Sequence, residues 1–251
     1  MTDEKLALTL YNVRDFTQTP QAIAGTLRKV RTLGYRAVQL SALGPIDPGE
    51  LKRMLDGEGI AVCATHVGWE RLANDLDVII DEHHRWECKN VAVGSVPKEY
   101  RCADGYARLA QECSEVAGQL AAAGLTFSYH NHYWELERYE GRTGLEILYD
   151  NSDPSVLAEI DTYWIQYGGG DPAAWIRRMK GRQRIVHFKD MGVRNGRQEM
   201  VEVGEGNLPW ADIIAACREA CADWYVVEQD TCPGDPFDSA SVSLRNLRAM
   251  Q

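Results

Sequence analysis

Short apolar runs bounded by polar or glycine residues alternate along the chain with longer stretches in which apolar positions recur at helical spacing. The runs predict strands at 6–11, 36–41, 60–66, 90–95, 125–130, 156–161, 184–189 and 224–228. The stretches between them predict helices at 21–33, 48–56, 69–86, 106–123, 144–149, 172–179, 210–222 and 239–250. Gly34, Gly59 and Gly124 each stand after a helical stretch and before an apolar run, where a left-handed helix cap favours glycine. Eight strand–helix units in 251 residues fit a (β/α)8 TIM barrel of class α/β, since a doubly wound sheet has about five or six strands. No Gly-x-Gly-x-x-Gly follows the first run, which removes the main support for a dinucleotide fold. No linker or compositional break divides the chain, so residues 1–251 are expected to form one TIM-barrel domain.

In such a barrel the working side chains come from the C-terminal ends of the strands. Polar residues gather there: His66 ends the third strand, His130 and His132 the fifth, Asp161 the sixth, His187 and Lys189 the seventh, Glu228 the eighth. Strand parity places Thr126, Ser128, His130 and His132 on one face and Leu125, Phe127 and Tyr129 on the other. If the apolar face packs on the helices, the polar face looks into the barrel. The same counting turns Glu159 and Asp161, Ile185 and His187, Val226 and Glu228, and Gln39 inward.

Two carboxylates on one face of an apolar segment, Glu159 and Asp161, need compensation, and a metal ion is one remedy. Asp161, His187 and Glu228 are donors suited to Mn²⁺ or Co²⁺, with Mg²⁺ less natural once imidazole takes part. The fourth ligand should come from strand five or its loop: Glu135 is preferred as a second strong base opposite Glu228, with His130 and His132 as rivals. The plainer roles for single residues are a helix cap for Asp161 and a satisfied core histidine for His66. Four acid or imidazole groups on adjacent strands weigh against reading them all that way. Glu159, one layer deeper, is expected to orient a ligand or a His rather than touch metal.

With 45% hydrophobic and 25% charged residues the chain can build a large core, and a net charge of −10 argues against nucleic acid as partner. Seven dispersed cysteines without a Cys-x-x-Cys pair fit reduced thiols in the cytoplasm. The N-terminal stretch has neither a basic start nor a signal-length apolar run, and no membrane span is expected. Aromatic residues near the strand ends, among them Tyr11, Trp69, Tyr133, Trp134 and Trp164, can stack on a sugar, although core packing also uses such rings. Arg194 and Arg197 are the candidates for holding a phosphate, or are simply solvated loop residues.

The runs Leu10-Tyr11-Asn12-Val13-Arg14-Asp15, Tyr129-His130-Asn131-His132 with Glu135, Glu159-Ile160-Asp161-Thr162-Tyr163-Trp164, Val186-His187-Phe188-Lys189-Asp190-Met191, Gly204-Glu205-Gly206 and Val227-Glu228 resemble the sugar isomerase and epimerase barrels related to xylose isomerase. That resemblance spans nearly the whole chain. It implies a metal site of Glu135, Asp161, His187 and Glu228, catalysis by Glu135, Glu228 and His132, and substrate contacts from His66, His130, Trp164, Lys189 and Gln39. It departs from the ketose epimerases twice, with Trp164 where they carry a His and His130 where they carry the strand-five Glu. The expected activity is metal-dependent isomerisation or epimerisation of a sugar or cyclitol by proton abstraction next to a carbonyl. A lyase or dehydratase using the same site is the alternative, and a non-catalytic sugar-binding barrel the third. A second copy of the chain as partner is left open.

Overall fold

A computed structural model describes residues 2–251. Eight parallel strands close into a barrel: β1 (Leu6–Thr9), β2 (Ala37–Leu40), β3 (Ala61–Val67), β4 (Asn90–Val93), β5 (Thr126–His130), β6 (Val156–Asp161), β7 (Gln183–Phe188) and β8 (Trp224–Val227). Each strand pairs with its sequence neighbours and β8 closes on β1 through Ala7 opposite Val226, the (β/α)8 arrangement that the alternation predicts. Helices Pro20–Leu33, Pro48–Glu58, Ala103–Ala122, Gly144–Asn151, Pro172–Arg178, Trp210–Glu219 and Pro236–Ala249 lie between and after the strands. Gly34 and Gly59 take φ of 109° and 62° at their helix ends, where an added Cβ would strain the backbone.

The core has two parts because parity divides each strand. Outward residues such as Leu8, Phe127, Tyr129, Ile160 and Phe188 pack under the helices. Inside the barrel, Ala7, Ala37, Cys63, Ala64, Ile185 and Val226 form a separate cluster of mostly small side chains. Above this floor most inward positions turn polar, with Ala92 of β4 an exception: Thr9, Gln39, Ser128, His130, Glu159, Asp161, His187 and Glu228 are all buried. The polar layer lies at the C-terminal mouth.

Three local features depart from the simple alternation. The first strand ends at Thr9, because its hydroxyl accepts the Tyr11 N–H at 3.3 Å and starts a 3₁₀ segment over Leu10–Phe16. The expected helix 69–86 is two helices, Trp69–Asn74 and Leu76–Trp86, interrupted at Asp75 (φ −125°, ψ 32°). Beyond β7, Asp190–Arg194 and Arg197–Val201 form an antiparallel hairpin whose turn, Asn195-Gly196, holds two positive φ angles. Among the described residues no helix is long and apolar enough to cross a membrane.

Candidate active site

At the mouth of the barrel the side chains of β5 to β8 converge. Ligand atoms of His130, Asp161, His187 and Glu228 all lie within 4.8 Å of one another. His130 Nε2 stands 3.5 Å from Asp161 Oδ2 and 3.8 Å from Glu228 Oε2, while His187 Nδ1 is 3.0 Å from Glu228 Oε2. Both ring nitrogens of His130 and Oδ2 of Asp161 are buried without a hydrogen-bond partner among the described residues. Such orphaned groups are costly unless something occupies the space between them. Two imidazoles and two carboxylates suit a divalent transition ion, so the residues fit a metal ion.

Asp161 presents its two oxygens to different surroundings. Its Oδ1 accepts the Trp164 N–H at 2.8 Å, capping helix Thr162–Tyr167, while Oδ2 faces His130. Asn131 Oδ1 accepts the Asp161 N–H at 3.0 Å and fixes the backbone of this strand end.

Glu159 sits one layer below, fully buried, and Gln39 Nε2 donates to both its oxygens at 3.0 and 3.1 Å. His66 Nε2 donates to it at 2.6 Å, and His187 Nε2 lies 2.8 Å from it. Gln39 Oε1 accepts from His187 Nε2 at 2.7 Å. The outer nitrogen of His187 is therefore turned toward Glu228 and the metal-ligand set, while the inner one is tied down. That is the arrangement by which a carboxylate fixes a ligating imidazole. Gln39 was expected to touch substrate. It is completely buried between Glu159 and His187 and positions them instead.

Glu135, expected as the strand-five ligand and a catalytic base, is not among the groups that converge. Its Oε1 accepts the Tyr129 hydroxyl at 2.8 Å and its Oε2 the His132 N–H at 2.9 Å. Tyr129 belongs to the outward face of β5, so the 3₁₀ turn Trp134–Leu136 carries Glu135 behind the barrel wall. Burial raises its pKa to about 7 against the pull of Tyr129. His130, at the strand end itself, takes the converging place.

Burial, which alone would raise Glu228, is outweighed by the Lys189 ammonium and by His187, which hold its carboxyl well below the usual range. For His187 burial opposes charge, yet Glu228 and Glu159 raise it to about 10. Asp161 is raised to about 7 by burial and by Glu228, with Lys189 pulling the other way. His130 is driven well down by burial, His187 and His66, which keeps its ring neutral, with one nitrogen carrying a proton and the other offering its lone pair. Lys189 Nζ reaches Asp230 Oδ1 at 2.6 Å and Glu228 Oε2 at 3.2 Å, with Asp161 Oδ2 at 3.7 Å.

A pocket of about 280 Å³ lies over this cluster, lined by Tyr11, Ser41, His66, Trp164, Lys189 and Glu228 among others. His130 and His132 also line it, and His132 stacks on Trp134 with centroids 4.1 Å apart. Gly94 admits the His66 ring, since a Cβ there would stand 2.9 Å from its Nδ1. Among the wall residues that sequence reasoning leaves unassigned are Asp230, Ser41 and Ser95. Asp230 follows Glu228 at i+2, and that spacing was the available signal.

A closed eight-stranded barrel with an acid and imidazole cluster at its C-terminal mouth defines the class of the protein. A family model described as "Xylose isomerase-like TIM barrel" matches residues 27–250, and the chain belongs to that family. It is 25% identical to an inosose dehydratase of Geobacillus kaustophilus (strain HTA426), over 86% of this chain and 83% of that protein. Its fold is similar to that of a sugar phosphate isomerase/epimerase from Parabacteroides distasonis ATCC 8503, with TM-score 0.84 at 20% identity over 99% and 95% of the two chains. It is also similar in fold to an L-ribulose 3-epimerase, with TM-score 0.73 at 17% identity over 98% and 93%. The relatives with known activities are enzymes.

Proposed function

We propose that this protein is a metal-assisted lyase that removes water from a keto-sugar or keto-cyclitol, beginning with abstraction of the proton next to the carbonyl. The carrying observation is the one-sidedness of the carboxylates: Asp161, Glu228 and Asp230 stand on β6 and β8 or just beyond them, and Glu135 has left the site. Epimerisation needs a second base across the ring, whereas a dehydration can run with base and acid on one wall. The kinship with inosose dehydratase agrees with this preference.

A divalent ion at His130, Asp161, His187 and Glu228, with Mn²⁺ the first choice and Co²⁺ or Mg²⁺ as alternatives, would polarise the carbonyl and acidify the neighbouring C–H. Glu228, kept ionised by the Lys189 ammonium, is the base that takes this proton. The C–H pair becomes the new C=C as the C–O bond one carbon further on breaks. Asp230, raised to about 6 by burial and by Glu228, carries the proton that leaves with the hydroxyl as water. His66 and Ser41, 3.3 Å apart, and Trp164 hold the ring from the facing walls.

Isomerisation or epimerisation remains the second reading, supported by His66 and His132 on the wall opposite Glu228 as partners for a returning proton. Incubating purified protein with inososes and keto-sugars plus Mn²⁺ in D₂O, followed by NMR and ultraviolet absorbance, separates the two. Dehydration gives an enone, and epimerisation gives a saturated product deuterated at the inverted carbon. Neither enone nor exchange with any of these substrates would sink the enolising mechanism.

A further inference from the structure

The segment after β1 reaches across the barrel mouth to the end of β8. Glu228 still pairs as strand, its N–H donating to the Phe188 carbonyl at 3.1 Å. The next two residues are taken over by side chains of the Leu10–Phe16 segment. Asn12 Oδ1 accepts the Gln229 N–H at 2.9 Å, and Arg14 Nη2 donates to the Asp230 carbonyl at 2.9 Å. Arg14 is itself fixed: Nη1 donates to the Tyr11 carbonyl at 2.8 Å, and the guanidinium lies 4.3 Å from the centre of the Tyr11 ring. The Arg14 carbonyl in turn accepts from the Thr17 N–H at 3.1 Å, the Thr17 hydroxyl at 3.0 Å and the Gln18 amide at 2.7 Å. Asn12 and Gln229 are both buried, so removing the Asn12 oxygen strands an N–H away from water.

This brace grips the stretch that joins two working carboxylates. Glu228 and Asp230 both line the pocket and both reach Lys189 Nζ, at 3.2 and 2.6 Å. Glu228 has anchors of its own in His187, at 3.0 Å, and in the sheet. Asp230 stands where the sheet has ended. Beyond it Thr231, Pro233 and Gly234 are exposed, and the contacts there are weak ones to or from sulfur, Thr231 to Met200 at 3.9 Å and Cys232 to the Gln229 carbonyl at 4.0 Å. Loosening the brace should therefore shift Asp230 and leave Glu228 in place. A misplacement of about 1 Å is enough to cost a proton transfer much of its rate.

We propose that Asn12 and Arg14 are positioning residues for the elimination step, holding Asp230 where it protonates the departing hydroxyl, with no part in the removal of the C–H proton by Glu228. This rests on the dehydration reading above. The two steps can be separated chemically. Glu228 takes the C–H proton, the bonding pair becomes the C=C, the C–O bond breaks, and the hydroxyl leaves with the Asp230 proton as water. A fluorine in place of that hydroxyl leaves as fluoride with its bonding pair and needs no proton.

The test gives the full chain, supplied with Mn²⁺ in D₂O, an inosose and the same inosose with fluorine at the β-carbon. NMR reads elimination together with deuterium entering the recovered substrate. Arg14→Met and Asn12→Leu should each slow loss of water about thirtyfold or more, with deuterium entry and fluoride loss both staying within about threefold. Arg14→Lys, which keeps a cation able to donate to the Asp230 carbonyl, should recover much of the loss. Water and fluoride loss slowed alike, deuterium entry falling in step with elimination, or unchanged water loss would overturn the proposal while leaving the dehydration reading intact. If the wild-type chain neither eliminates nor exchanges, that reading fails and the proton-delivery role falls with it. The brace is then judged by hydrogen exchange at the Gln229 amide: protection falling at least about tenfold in Asn12→Leu keeps it, and unchanged protection removes it.

Discussion

Metal and protons should compete for His187. In the metal-free protein its imidazole is doubly protonated up to about pH 10, because Glu228 at 3.0 Å and Glu159 at 2.8 Å outweigh the burial that opposes charge. To ligate an ion it must lose the Nδ1 proton. At pH 7 that costs about 4 kcal/mol, from three units at about 1.4 kcal/mol each, or about a thousandfold in apparent affinity. Metal affinity should therefore rise about tenfold per pH unit from pH 7 toward 10. Below about pH 7 the Asp161 carboxyl holds a proton as well, and the dependence should steepen toward a hundredfold per unit. The assay is competition of Mn²⁺ or Co²⁺ with a fluorescent chelator from pH 6 to 9, paired with calorimetry in buffers of different ionisation enthalpy to count protons released. About one proton per ion is expected at pH 8 and more below pH 7. A flat affinity profile, or binding with no proton release, would refute both the ligand role of His187 and the electrostatic argument behind it. The sign for stability is opposite. Because the folded-state pKa of His187 is raised from 6.5 to about 10, its pairing stabilises the metal-free fold fully below pH 6.5 and is lost as pH climbs through 10.

Four substitutions test the rest of the site. Glu135→Gln should leave the number of bound metal ions unchanged and cost about 1–3 kcal/mol in denaturant unfolding, because its oxygens serve Tyr129 and the His132 amide. Glu228→Gln should abolish turnover and metal retention, and a metal-loaded active variant would remove Glu228 from the site. Lys189→Met strands three carboxylates that now share one ammonium, so the metal-free protein should lose about 3–5 kcal/mol in thermal or chemical unfolding, with added Mn²⁺ restoring part of it. An unchanged midpoint would contradict the charge assignment. Gly94→Ala should lower activity at least about tenfold at a stability cost of about 1–3 kcal/mol, since its Cβ would push on His66 Nδ1 at 2.9 Å. Full activity would release His66 from any need for its present orientation.

What the sequence made legible was whatever parity and strand ends control. The alternation along 156–161 and 184–189 placed Glu159, Asp161 and His187 inside the barrel, where they lie, because a period-2 rule holds as long as backbone stays extended. It failed as soon as the chain left the strand. Glu135 stands five residues past His130, and the turn that follows reverses direction, so counting could not show that its carboxylate faces Tyr129 behind the wall rather than His130 within it. Gln39 failed differently. Its face was right, but depth along the barrel axis comes from register with β1 and β3, which no single strand carries. The hairpin has a sequence signal of its own, since Asn195-Gly196 is the strongest short hairpin turn, but the charged residues around it mask the two strands. That hairpin matters because Asp190, at its base, accepts N–H groups from Gly204 and Gly206 and the Trp210 indole at 2.6 Å, fixing the return of the chain just after Lys189. The strand that carries His187, β7, is thus held from both sides, by Glu159 and Gln39 inside the barrel and by Asp190 above it. Asp190→Ala should consequently loosen Lys189 and weaken Glu228 as a base without touching the metal ligands, and a variant with unaltered turnover and an unaltered melting temperature would show that the clamp is dispensable.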